Sequence, residues 1–571
     1  MTPDLVLKGG TVVDGSGGPA FEADVVVTGD RITAVGKHDG PAGDVIDACG
    51  KIVTPGFVDV HTHLDAALMW DPLGAPACWH GITSVVVGNC GVGFAPCRPG
   101  DRDFLMFLME GVEDIPRAAL AAGMKWTWEG FRGYLDALGG TGLGINAGAY
   151  VAHAPLRVWA MGSEGVVDAP PSDGELAAMQ AAVDEAIAAG ALGVSTGRTT
   201  MHRTPGGDAV PGTFADEREL LALAEPMRRR GAGLFQLVPY GAAGEAAEGF
   251  ERDLPLMLAV ARASGRPVSV GLTQARQYPD VWRDSFERIE RATAPGVSIV
   301  PQVAPRSIGL MLGMEGLLSP LLLIPAAGEL LDKSRDELRV ILQDAALRRR
   351  LAESLDPSGE IMAGMATLDR LFPVNEAGVA SYETTPERSV AGIARRRGVL
   401  PGEVILDELL ASDFKRLFLI AVYNFDMEAA GAMLSHPLSV PGLGDAGAHT
   451  SQTCDVGVPT FMLAYWVRQR RAMALEQAVR KLTAAPAAAW GLVDRGLIRS
   501  GSYADLNVID LERLDLGMPE VRHDLPTGAT NLSQRATGYT ATIVNGKVLM
   551  RDGQHTGALP GRVLRNEKAR E

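Results

Sequence analysis

Short runs of alternating apolar and polar residues fill the first 55 positions, where "LVLKGGTVVDG", "ADVVVTGDRITAVG" and "DVIDACGKIVTPG" are separated by Gly and Asp turns. A period of two predicts half-buried β-strands. The pattern returns at the tail in "YADLNVIDL" and "ATIVNGKVLMRDGQHTG", where Asn545-Gly546 and Asp552-Gly553 are pairs that favour tight hairpins. Between the ends the period changes. Apolar runs ("GITSVVVGNCG", "LGINAGAYVAH", "ALGVSTG", "AGLFQLVPYG", "PVSVGLTQ", "VSIVPQVAPR") are joined by amphipathic segments ("DGELAAMQAAVDEAIAAG", "ERELLALAEPMRRRG", "LPLMLAVARASG", "WRDSFERIERATA"). Strand then helix, repeated with this regularity, predicts a parallel (β/α) barrel of the α/β class.

After the last of these runs, about residues 307–435 read as mostly helical, through "RDELRVILQDAALRRRLAESL" and "SDFKRLFLIAVYNF", before the strand-like "SVPGLGDAGAH". This predicts an insertion late in the barrel, between its last two strands. Such an insertion either shapes the active-site mouth or is a structural addition.

With 571 residues, 46% apolar and 21% charged, the chain reads as a large globular core with appended pieces. A net charge of -16 speaks against nucleic acid as a partner, because phosphate binding needs clustered cations. The start "MTPDLVLKGG" has no basic segment followed by a long apolar one, and the apolar "LLSPLLLIPAAGELL" is broken by prolines and a glutamate. The expectation is a cytoplasmic protein without a membrane partner, a homo-oligomer being left open. Five scattered cysteines do not suggest a disulfide framework, so each is a core thiol or a ligand.

The chemistry begins at "PGFVDVHTHLD", residues 55–65. In an extended strand the side chains at i and i+2 share a face, so His61 and His63 lie side by side while Val58 and Val60 face the other way. Two imidazoles so placed suit a metal ion. A thiolate from Cys90 in "GNCG" would be a strong further ligand, although a buried cysteine beside two glycines is also an ordinary core residue.

Together, "GGTVVDGSG", "PGFVDVHTHLD", "GITSVVVGNCG", "VAHAPLRVWAMG", "GALGVSTG", "GLGDAGAH" and "VNGKVLMRDGQHTGALPGRVLR" give the chain a resemblance, over nearly its whole length, to the amidohydrolase superfamily. Within it the chain resembles the D-aminoacylase, or N-acyl-D-amino-acid deacylase, group. The resemblance implies a (β/α)8 barrel with a small β-sandwich built from both chain ends. The division is then residues 1–55 and 491–571 for the sandwich and 56–490 for the metal-dependent hydrolase barrel, with its insertion at about 307–435. It also implies metal ligands at His61, His63, Cys90 and Asp445, the last activating a water and passing its proton to the leaving nitrogen. His153 is implied as a helper at the oxyanion, though a core histidine explains it as well. Arg198 and Arg276 are candidates for a substrate carboxylate, though each also reads as a surface arginine.

One departure matters. The superfamily's histidines on the fifth and sixth barrel strands should fall in "AGLFQLVPYG" and "PVSVGLTQ", which contain none; Gln236 and Gln274 stand nearby. Amides are poor zinc ligands beside imidazole, so one Zn2+ per chain is expected, with another divalent ion as the alternative and His153, His202 or His449 as substitutes should two be held. The expected function is metal-dependent hydrolysis of a C–N amide bond in a small molecule. The rival readings are a cyclic amide or lactone hydrolase, and a non-catalytic ligand-binding barrel with a decayed metal site.

Overall fold

The fold is taken from a computed structural model that describes residues 2–163, 166–167, 169–315, 318–355, 360–361, 366–376 and 379–566. Residues 316–317, 356–359, 362–365 and 377–378 of the expected insertion, and 567–571 of the expected C-terminal part, lie outside the described residues.

Eight parallel strands form the central sheet: β1 (Phe57–Asp59), β2 (Ile82–Val87), β3 (Asn146–Ala152), β4 (Gly193–Gly197), β5 (Leu234–Val238), β6 (Val268–Gly271), β7 (Ile299–Val303) and β8 (Val440–Pro441), paired in sequence order. Beyond their ends, Thr62 pairs with Ala446 and the His63 amide donates to the Ala446 carbonyl at 2.8 Å, which brings the first and last strands together as a barrel. The strands are apolar because both faces are covered, one by side chains filling the barrel and the other by helices. Those helices include α1 (Arg102–Glu113), α2 (Phe131–Gly139), α3 (His153–Met161), α4 (Asp173–Ala189), α5 (Glu217–Arg230), α6 (Gly249–Ser264), α7 (Val281–Ala292) and α8 (Met427–Ser435). The helix starts follow local chemistry. Ser172 and Glu175 form a reciprocal capping box at α4, and Asp216 caps α5 by accepting from the Glu219 amide.

Both chain ends meet in a nine-stranded sheet, in which residues 506–509 run antiparallel to 52–55. Leu5, Leu7, Val25, Val53, Leu506 and Ile543 share one buried core there, which is why alternating runs 450 or more residues apart belong together. The expected hairpins are present: Asn545 and Gly546 join strands 539–544 and 547–551, and Asp552 and Gly553 join the latter to 554–555, all four at positive φ.

The insertion departs from the helical expectation. Residues 418–423, "FLIAVY", are the middle strand of a three-stranded antiparallel sheet with 308–312 and 371–373. Phe418, Leu419, Ile420 and Ala421 are all buried. A strand covered on both faces shows no alternation, so its apolar run looks like a helix segment. Around this sheet, Leu312, Leu338, Leu371, Ile405 and Phe418 form a core separate from that of the barrel. Helix α8, by contrast, buries Ala429, Ala430, Met433 and Leu434 in the main core, so it belongs to the barrel and the insertion ends before it.

Candidate active site

Beyond β1 the extended alternation continues: Val58 and Val60 join an apolar cluster with Val86, Leu234, Val440 and Trp490, and His61 and His63 take the opposite face. Both rings are buried at 1% exposure, with centroids 5.6 Å apart. The segment is pinned by Asp59, whose Oδ1 accepts from the His61 amide at 3.1 Å, and by Thr62, whose hydroxyl donates to the Val86 carbonyl at 2.9 Å.

The "GNCG" turn after β2 delivers Cys90. Gly88 and Gly91 have φ of 80° and 79°, and a Cβ on either would lie 2.7 or 2.8 Å from backbone of β3 or β4, so only glycine fits. Cys90 is itself left-handed, with φ 58°. Its amide donates to Gln236 Oε1 at 3.2 Å, the Gly91 amide donates to Ser195 Oγ at 3.2 Å, and Asn89 bonds the Thr62 and Val86 carbonyls. A conformation costing roughly 1–2 kcal/mol is thus fixed from three sides.

Asp445 follows β8, also left-handed at φ 43°. Two residues on, Gly447 passes so close to the His63 carbonyl that a Cβ would meet it at 2.7 Å. The four donors converge. His61 Nε2 lies 3.3 Å from Cys90 Sγ and 3.2 Å from Asp445 Oδ1, and His63 Nε2 lies 3.8 Å from each. Ligands at zinc-like distances of ~2.0–2.3 Å and tetrahedral angles stand roughly 3.3–3.6 Å apart, so the set fits one divalent ion. Asp445 Oδ1 is buried without a hydrogen-bond partner, as a ligand atom would be. Among the described residues His61, His63 and Cys90 are the only histidine, cysteine or acidic group of three whose ligand atoms converge in this way.

Each imidazole is backed by a second group. His61 Nδ1 is 2.6 Å from Gln302 Oε1, an acceptor, so the ring carries its proton there and leaves Nε2 free. His63 Nδ1 faces Glu113 Oε1 at 3.3 Å. Burial, then the neighbouring histidines, hold His63 well below its ordinary range; burial, then nearby carboxylates, push the Cys90 thiol and the Glu113 carboxyl well up. A divalent cation among them would reverse the last two effects.

These donors open onto a cavity of about 860 Å³ at the carboxyl ends of the strands. Met201, His202, Thr273, Arg276 and His449 line it, and Ile308, Leu310, Val422 and Tyr423 of the inserted sheet form part of its wall. The insertion therefore does shape the mouth.

Other expected residues fall elsewhere. His153 does not reach the cavity: it is fully buried at the start of α3, with Nδ1 2.8 Å from Thr196 Oγ1 and Nε2 2.9 Å from Glu219 Oε1. Arg157 also binds Glu219, at 2.6 and 2.7 Å, and although burial pushes that carboxyl up, His153 and Arg157 hold it below its ordinary value. Both ring nitrogens are thus engaged within the protein, away from the cavity lining. Arg198 is likewise committed, its Nε donating to Asp253 Oδ2 at 3.0 Å away from the cavity lining, so of the two candidate arginines only Arg276 lines it. Gln236 meets the Cys90 amide, whereas Gln274 is turned aside, bonding the Asp426 amide and the Pro279 carbonyl. Asp455 lines the cavity but pairs with Arg306 at 2.8 Å. Sequence reasoning missed Glu113 and Gln302. The first left a signal, since a glutamate ending a helix opposes the helix dipole and wants a reason to be there.

The model of the amidohydrolase family matches residues 44–550. The chain belongs to this family. An N-acyl-D-aspartate deacylase from Alcaligenes xylosoxydans xylosoxydans is 30% identical across 98% of this amidohydrolase and 95% of its own length. An N-acyl-D-glutamate deacylase from Bordetella bronchiseptica, solved with zinc and a phosphonate mimic of the tetrahedral intermediate, superposes with a TM-score of 0.65 at 27% identity, over 99% of this chain and 100% of the other. A D-aminoacylase with a binuclear metal centre gives 0.66 at 25%, with the same coverage. The amidohydrolase described here is a hydrolase acting on carbon–nitrogen bonds other than peptide bonds, with a site for a divalent metal. Among its described residues no helix is long and apolar enough to cross a membrane.

Proposed function

We propose that this amidohydrolase is an N-acyl-D-amino-acid deacylase working with one zinc ion held by His61, His63 and Cys90, Asp445 standing beside it. The observation that carries this is the convergence of those four donors beneath a cavity large enough for an acylated amino acid. When bound, the ion supplies Lewis acidity, polarising the amide carbonyl and lowering the pKa of a water in its open position. Asp445 would take a proton from that water and deliver it to the leaving amine nitrogen, a role supported by its Oδ1 lying 3.2 Å from His61 Nε2. Arg276, on the loop after β6, offers the cation that a substrate carboxylate needs. His61 is held as an Nε2 donor by Gln302 Oε1 at 2.6 Å.

A single ion is supported by the fifth and sixth strands. Gln236 on β5 is engaged by the Cys90 amide, and Ser269 on β6 by Gln302 Nε2 at 2.9 Å, so neither strand offers an imidazole. Zinc-loaded protein should release free amino acid from N-acetyl-D-amino acids, the D-aspartate, D-glutamate and neutral members being tried together with their L forms. No turnover on any D compound would overturn the proposal.

A further inference from the structure

Glu113 is a buried carboxylate that nothing else in the reaction uses. It is the last residue of α1, 3% exposed, and its Oε1 has no hydrogen-bond partner although it is buried. It faces His63 Nδ1, which is also buried and also lacks a partner, at 3.3 Å. Its other oxygen is 3.9 Å from His449 Nε2, and its backbone carbonyl accepts from the His449 amide at 2.5 Å. Burying such a group without a partner is unfavourable unless a donor or a positive charge is supplied beside it.

We infer that Glu113 is a positioning residue for the metal centre: it accepts the Nδ1–H of His63, fixes that ring with Nε2 toward Cys90 and Asp445, and adds negative charge behind a ligand that has few companions. The inference rests on the metal reading above. The geometry supplies three arguments. First, the two ligand histidines are treated differently, since His61 is backed by the neutral amide of Gln302 at 2.6 Å and His63 by a carboxylate. A carboxylate behind an imidazole makes it a stronger donor and commonly matters 10–100-fold in metal affinity. Second, β5 and β6 contribute no imidazole, and the converging donors are few: His61, His63 and Cys90, with Asp445 beside them. Strengthening one of so few ligands has a larger effect than it would in a fuller set. Third, the backbone carbonyl of the same residue ties α1 to the loop that carries Asp445, through the His449 amide, so the group behind the first-strand ligand is anchored to the loop of the proton acceptor.

The test measures metal affinity and ligand field in addition to turnover. Full-length parent, Glu113→Gln and Glu113→Ala are stripped of metal, titrated with Zn2+ against a chromophoric chelator, and separately loaded with Co2+ for visible spectra. Glu113→Gln keeps an acceptor oxygen and the shape but loses the charge, so its zinc affinity should fall by about tenfold. Glu113→Ala should fall further, toward about 100-fold, with an altered Co2+ spectrum because the His63 ring is released. Affinity and spectrum of Glu113→Gln within about twofold of the parent would overturn the inference, and that isosteric variant decides alone should the alanine variant fail to fold. A parent that bound no zinc would overturn both this inference and the metal reading; a parent that bound zinc, with variants matching it, would overturn only the inference.

Discussion

Asp445 sits at φ 43° next to a glycine, in a backbone region that aspartate and asparagine enter more easily than most residues. The substitution Asp445→Asn should therefore leave the fold and, with His61, His63 and Cys90 intact, most of the metal. On the proposed mechanism it removes the group that accepts and returns the proton, so turnover should drop at least ~100-fold. Turnover within about threefold of the parent, measured on protein of verified metal content, would remove Asp445 from the role. At this scale much was legible: "HTH", the cysteine of "GNCG" and the aspartate of "GLGDAGAH" are brought to one point, because each sits just beyond the carboxyl end of a barrel strand. What was not legible were partners from distant chain positions. Gln302 lies 241 residues from His61, and only the closed barrel makes them neighbours. His153 misled for the same reason, since its companion Glu219 is 66 residues away on α5.

At the scale of elements, the helices and strands between residues 173 and 303 follow the apolar pattern closely, because each amphipathic helix covers a strand that is buried on both faces. The pattern failed at "FLIAVY", a middle strand, for want of any alternation to read. Contacts between elements carry their own chemistry. His80 ends the short helix Ala77–His80, between β1 and β2, and is fully buried. Its Nε2 donates at 3.0 Å to the carbonyl of Gln534, on the strand Asn531–Thr537, so Nδ1, 2.9 Å from the Thr460 hydroxyl, is the bare nitrogen. Burial pushes this ring down to about 4, and Arg306 adds to the effect against the bond to Gln534. The native state then binds fewer protons than the unfolded chain between about pH 6.5 and 4. Stability from this group is complete above pH 6.5 and is lost as pH falls through about 4, to the extent of about 3 kcal/mol. His80→Gln lacks the titration, so the gap between parent and variant in urea unfolding should narrow by about that amount from pH 7 to 4. A gap that stayed constant with pH would show that His80 is not the group responsible.

For the whole molecule, the alternating ends and the strand–helix middle give the architecture, and the pairing of residues 52–55 with 506–509 makes the two ends one unit. All five cysteines are free thiols, in keeping with a chain that relies on its cores and not on cross-links. The central proposal is functional: one divalent ion at His61, His63 and Cys90, with Asp445 at hand, for amide hydrolysis. The D-aminoacylase relative has a binuclear centre, whereas the proposal for this chain is a single ion. Metal-free protein should be titrated with Zn2+ while release of a free D-amino acid from its N-acyl form is followed. Activity should rise from near zero to a break at about one equivalent per chain and stay level or fall beyond it. Full activity without metal, or a break only at about two equivalents, would contradict the single-ion centre.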